Sequence, residues 1–166
     1  MLILGIDPGI ARVGWGFVDE TKNQLRAIDY GCHETEKTLS IESRLQSIYI
    51  FFSELFATHH PDVAAIEELF FATNVRTAFA VGQARGVILL AAANANLPVV
   101  SYTPLQVKLA ITGYGQAEKK QVQQMVKAIL HLDEIPKPDD TADALALAIC
   151  HAFSYKLRGK ALRSVS

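Results

Sequence analysis

Two short apolar runs in this chain each close on a carboxylate. Met1-Leu-Ile-Leu-Gly-Ile6 is followed by Asp7, and Asp62-Val-Ala-Ala-Ile66 by Glu67. Runs of this length and composition read as buried strands. An acid at the end of a buried strand is costly to desolvate unless something offsets it. A third segment, Asp140-Thr-Ala-Asp-Ala-Leu-Ala-Leu-Ala-Ile149, reads as an apolar helix that opens on two more acids, Asp140 and Asp143. Two strands and a helix with this property point to one meeting place and a shared hard cation.

The remaining pattern supplies the frame. Val13 to Val18 alternates larger apolar residues with glycine and predicts a second strand, with Pro8-Gly9 as the turn before it. Gln24 to His33 predicts a third. Apolar residues at Leu45, Ile48, Tyr49, Phe52, Leu55 and Phe56 follow the helical period and predict a helix over 40–58. Val63 to Glu67 is the fourth strand, and a long helix is expected from Asn74 or Thr77 to about Asn94. Leu97 to Ser101 is the fifth strand, followed by helices over 104–111, 117–130 and 140–155. Three hairpin-linked strands and then helix-separated ones predict an α/β fold with a mixed five-stranded sheet flanked by helices. Residues 1–155 are expected to form one domain, with 156–166 as a flexible basic tail.

Half of the 166 residues are hydrophobic, which excludes a disordered chain. No apolar run approaches the roughly 18 residues of a membrane span, and no secretory signal is visible. A cytoplasmic protein with no membrane association is therefore expected. Cys32 and Cys150 lie far apart without a CxxC pattern and read as reduced thiols. The net charge of -1 does not advertise a nucleic-acid binder, but basic residues gather late: Lys108, Lys119, Lys120, Lys127, Lys156, Arg158, Lys160 and Arg163.

Asp140 and Asp143 stand three residues apart and share a helix face, in the first turn, where the dipole favours negative charge. An N-cap role for Asp140, a dipole role for Asp143 and an ordinary turn role for Asp7 are the structural alternatives. Sixty residues separate Asp7 from Glu67 and 73 separate Glu67 from Asp140, so any shared site is made by the tertiary fold. An acid cluster without cysteine or histidine favours Mg²⁺ or Mn²⁺ over zinc. Two such ions per site, about 3.5–4 Å apart, would clamp the attacking and leaving oxygens of a phosphodiester.

The chain resembles the RuvC family of bacterial Holliday-junction resolvases, within the ribonuclease H-like superfamily. The residues that carry the likeness are Leu4-Gly-Ile-Asp-Pro-Gly9, Ala65-Ile-Glu67 with Phe70, Gly82-Gln-Ala-Arg-Gly86, Gln106-Val-Lys108, Ala117-Glu-Lys119 with Gln121-Val-Gln123, and Asp140-Thr-Ala-Asp-Ala-Leu145. They run in order through nearly all of residues 1–155. The resemblance implies that Asp7, Glu67, Asp140 and Asp143 are catalytic metal-binding acids. It implies that Phe70 stacks on a base and that Lys108 and Lys119 contact DNA, with Lys120 and Lys127 left as surface charges. It further implies a homodimer that makes paired nicks in four-way DNA junctions during recombination and repair, leaving 5′-phosphate and 3′-hydroxyl ends. A RuvA–RuvB branch-migration complex is the implied partner, and Mg²⁺ the implied cofactor.

The helix before Asn94 is rich in glycine and alanine. Glycine within a helix costs about 0.5–1 kcal/mol, so the close approach of another backbone, from the sheet or a second subunit, is expected. Three rival readings exist. Sugar kinases and actin-like ATPases open similarly but need two such domains, for which 166 residues are too few. The RuvX/YqgF-type RNA-processing family shares the opening but not the Gln-Ala-Arg-Gly and Gln-Val-Lys segments. A non-catalytic junction binder would have no need of all four acids.

Overall fold

The computed structural model describes the backbone of residues 1–22, 24–68 and 75–163, with side chains described except at 75–77 and 156–163. Strands β1 (Leu2–Asp7), β2 (Arg12–Thr21) and β3 (Gln24–Glu34) form an antiparallel meander. Helix α1 (Ile41–His59) leads to β4 (Val63–Glu67), and α2 (Val75–Asn94) leads to β5 (Val99–Tyr102). Helices α3 (Pro104–Thr112), α4 (Lys119–Ile129) and α5 (Asp139–Arg163) complete the chain. The sheet order is β3-β2-β1-β4-β5, with β1, β4 and β5 parallel. This is the mixed five-stranded sheet expected from the sequence.

Period-two alternation divides the core. Leu4 and Ile6 of β1 and Ala64 and Ile66 of β4 pack with Ile48, Phe52 and Phe56 of α1 and Ile88 of α2. Ile3, Val63 and Ala65 point the other way, towards α3, α4 and α5. Asp7 and Glu67 continue this second set by sequence parity, so both acids stand on the α5 face.

Local chemistry sets the helix starts. Ser40 caps α1, its hydroxyl accepting from the Ser43 amide at 3.3 Å. Thr103 and Gln106 form a reciprocal capping box for α3, with Pro104 at its first position. Gly113 ends α3 in the left-handed region at φ 75°, which favours glycine. Glu118 and Gln121 box the start of α4, so Lys119 opens that helix.

Several boundaries differ from expectation. β2 and β3 are longer because they pair along their whole length, with a bulge between Phe17 and Val18. β5 starts after Pro98, whose carbonyl accepts from the Ala64 amide at 2.9 Å. Helix α5 starts at Asp139 and its backbone continues to Arg163, past the expected end near Tyr155. Residues 164–166 lie outside the described residues, as do the side chains of the basic segment from Lys156. Cys32 and Cys150 are free thiols, and burial pushes each up to about 11. Among the described residues, no helix is long and apolar enough to cross a membrane.

Candidate nuclease site

The register of the central strands joins two acids distant in sequence. Ile6 of β1 pairs with Ile66 of β4, so Asp7 and Glu67 end adjacent parallel strands side by side. Helix α5 lies across β1 and β2 at close range because two glycines leave room. A Cβ on Gly5 would collide with the Ala144 carbonyl, and one on Gly14 with the Asp140 carbonyl. The first turn of α5 is thereby set down on β2 directly beside the end of β1. Since α5 opens at Asp139, Asp140 lies inside the first turn and is not its N-cap.

The four acids share one electrostatic field. Burial pushes Asp7 up to about 8, reinforced by the charges of Glu67, Asp143 and Asp140 and opposed by Lys119. Burial likewise raises Glu67, with Asp143 adding and Lys119 opposing. Asp143 is also raised, burial outweighing the Lys119 ammonium that hydrogen-bonds it. Among the described residues, no three His, Cys, Asp or Glu side chains are drawn together around a common point. The acids are neighbours in charge rather than a closed cage.

Two cations hold the helical pair. The Lys119 ammonium is 2.8 Å from Asp143 and 3.5 Å from Asp139. Burial alone would lower the pKa of Lys119, but the hydrogen bond and charge of Asp143 and the charge of Asp139 outweigh it and raise it. The Arg12 guanidinium lies 3.4 Å from Asp140. A cavity beside the acids is lined by Glu67, Lys108, Lys119 and Asp143 over an apolar floor that includes Val107 and Leu147.

Of the seven residues singled out in the sequence, six are therefore gathered here: Asp7, Glu67, Asp140, Asp143, Lys108 and Lys119. Phe70 lies outside the described residues. Sequence reasoning missed the contact between Arg12 and Asp140 and the part played by Arg85. Arg85 donates from Nε to the Glu67 carbonyl at 3.1 Å and from Nη2 to Ser101 Oγ at 2.8 Å, tying the ends of β4 and β5 together. Its place in the Gln-Ala-Arg-Gly segment was the available signal.

Residues 3–151 match the family model described as crossover junction endodeoxyribonuclease RuvC. The RuvC of Brevibacillus brevis is 58% identical over 152 residues, covering 92% of either chain. That of Desulforamulus reducens is 56% identical over 152 residues, covering 92% of this chain and 93% of the relative. The structure of Thermus thermophilus RuvC in complex with Holliday junction substrate superposes with a TM-score of 0.87 at 35% identity, covering 95% of this chain and 96% of that one. On its sequence and on its fold, this chain belongs to the RuvC family of crossover junction endodeoxyribonucleases.

Proposed function

We propose that the protein is a metal-dependent endonuclease that resolves four-way DNA junctions by paired nicks, leaving 5′-phosphate and 3′-hydroxyl ends. The observation that carries this reading is the β1–β4 register. It sets Asp7 beside Glu67 under the first turn of α5, in a chain of this family.

The donor set fits a hard divalent cation: it is all carboxylate oxygen, and burial, reinforced by the neighbouring acids, disfavours the charged form of Asp7, a penalty that bound positive charge would offset. Asp7, Glu67, Asp140 and Asp143 would hold Mg²⁺, as two ions per site with Mn²⁺ as a substitute. Bound metal would supply activation of water and stabilisation of the departing 3′-oxygen. Lys108 and Lys119 bind phosphate on one wall of the cavity. Phe70 stacks on a junction base, a contact of about 1–3 kcal/mol. Residues 1–155 form the nuclease domain.

Paired nicking needs two sites related by a two-fold axis. Phe79, Gly86 and Leu90 lie at positions of α2 that share one stripe. Phe79 and Leu90 are exposed, and a Cβ on Gly86 would meet open space. Among the described residues of the chain, the close approach expected at this glycine is therefore absent. A second copy packed along α2 accounts for the stripe. The enzyme acts in the cytoplasm, with a RuvA–RuvB branch-migration complex as its partner.

The test is incubation with a labelled mobile four-way junction, a linear duplex and an RNA hairpin, in Mg²⁺ or EDTA. Paired, ligatable nicks in the junction alone, lost in EDTA, are expected. Junction binding without nicks would reduce the protein to a binder. RNA cleavage would move it to the RNA-processing relatives.

A further inference from the structure

We propose that Arg12 binds a backbone phosphate of the DNA strand crossing the acid cluster, on the flank opposite Lys108 and Lys119. The inference rests on the junction-nuclease reading and adds a contact to it.

Lys108 and Lys119 stand on α3 and α4 and line the cavity on the β4 side of the acids. Arg12 opens β2, on the other side of β1. It is a cation on that flank, 3.4 Å from Asp140 through Nε, with its side chain 50% exposed. Among the described residues, its terminal nitrogens make no hydrogen bond or ion pair, although Glu34 is its cross-strand neighbour. A guanidinium anchored at Nε presents its remaining N–H groups as a fork matched to phosphate oxygens. A strand whose scissile phosphate sits over the acids places neighbouring phosphates to either side. One meets the lysine wall and the other meets Arg12.

An exposed ion pair contributes little to stability, so substitutions at Arg12 leave the fold intact. Binding of the full-length protein to a fluorescein-labelled four-way junction is measured in EDTA by anisotropy, at salt from about 50 to 200 mM. R12Q is expected to weaken binding about three- to tenfold and to reduce the slope of log K against log salt by about 0.9, the value of one phosphate contact. R12K is expected to keep the slope. If R12Q binds with wild-type affinity and slope, and only the Mg²⁺ dependence of nicking shifts, Arg12 serves Asp140 alone and the proposal fails. Failure of the wild type to prefer the junction over linear duplex overturns the nuclease reading itself, before any variant is compared.

Discussion

The carbonyl of Asp140 lies where a side chain on Gly14 would begin, and Gly14 stands directly across the β1–β2 ladder from Asp7. One glycine therefore sets the distance between an acid on the sheet and an acid on the helix. A methyl group there must lift the first turn of α5 away from β2. Gly14→Ala is expected to cost about 1–3 kcal/mol through overpacking. Misplaced Asp140 should reduce Mg²⁺-dependent nicking by more than about tenfold. Thermal melting and junction cleavage measured together check this; wild-type cleavage by the variant would show that α5 is not positioned through Gly14.

Asp7 carries a pH signature. Its carboxyl ionises near 3.8 when unperturbed and near 8 in the metal-free fold, because burial and three neighbouring acids disfavour its charge. A folded pKa above the unfolded one means a contribution fully present below 3.8 and lost as pH rises through about 8. In EDTA the wild type should therefore melt lower at pH 8.5 than at pH 6. Asp7→Asn should flatten that difference and raise the melting temperature at pH 8.5 by about 3–6 °C, equivalent to about 1–2 kcal/mol. The same substitution should abolish cleavage and preserve junction binding. A lower melting temperature for the variant at pH 8.5 would show that Asp7 is not electrostatically strained.

Metal binding should follow the same titration. Ligands must shed their protons, so Mg²⁺ affinity is expected to rise from pH 6 to about 8 and then level off. Calorimetry in buffers of different ionisation enthalpy should detect proton release below about pH 8. A pH-independent affinity would count against Asp7 as a ligand.

Lys119 counters the charge of Asp7, Glu67 and Asp143 together. Lys119→Gln should lower the metal-free melting temperature at pH 8, where the acids tend to ionise, and have less effect at pH 5. Equal losses at both pH values would assign Lys119 a packing role instead.

Arg85 holds the last carbonyl of β4 and the hydroxyl of Ser101. Arg85→Ala should cost about 1–2 kcal/mol for the two hydrogen bonds. It should also slow cleavage, because Glu67 loses the anchor at its own backbone. Arg85→Lys restores one donor and should recover part of both. Denaturant unfolding and single-turnover nicking provide the comparison.

The sequence by itself determined the strands, the helix period and the face each acid would take. Asp7 keeps parity with Ile3 and Gly5, and Glu67 with Val63 and Ala65, so their side of the sheet follows from consecutive residues alone. The spacing of Asp140 and Asp143 placed them on one helical face for the same reason. What only the tertiary structure decided is which distant partners meet. The pairing of Ile6 with Ile66 and the seating of α5 on Gly5 and Gly14 join elements from both ends of the chain. So do the contacts of Arg12 with Asp140 and of Lys119 with Asp143. Periodicity is a property of neighbouring residues, whereas the charge field at Asp7 is a property of groups that only folding brings together.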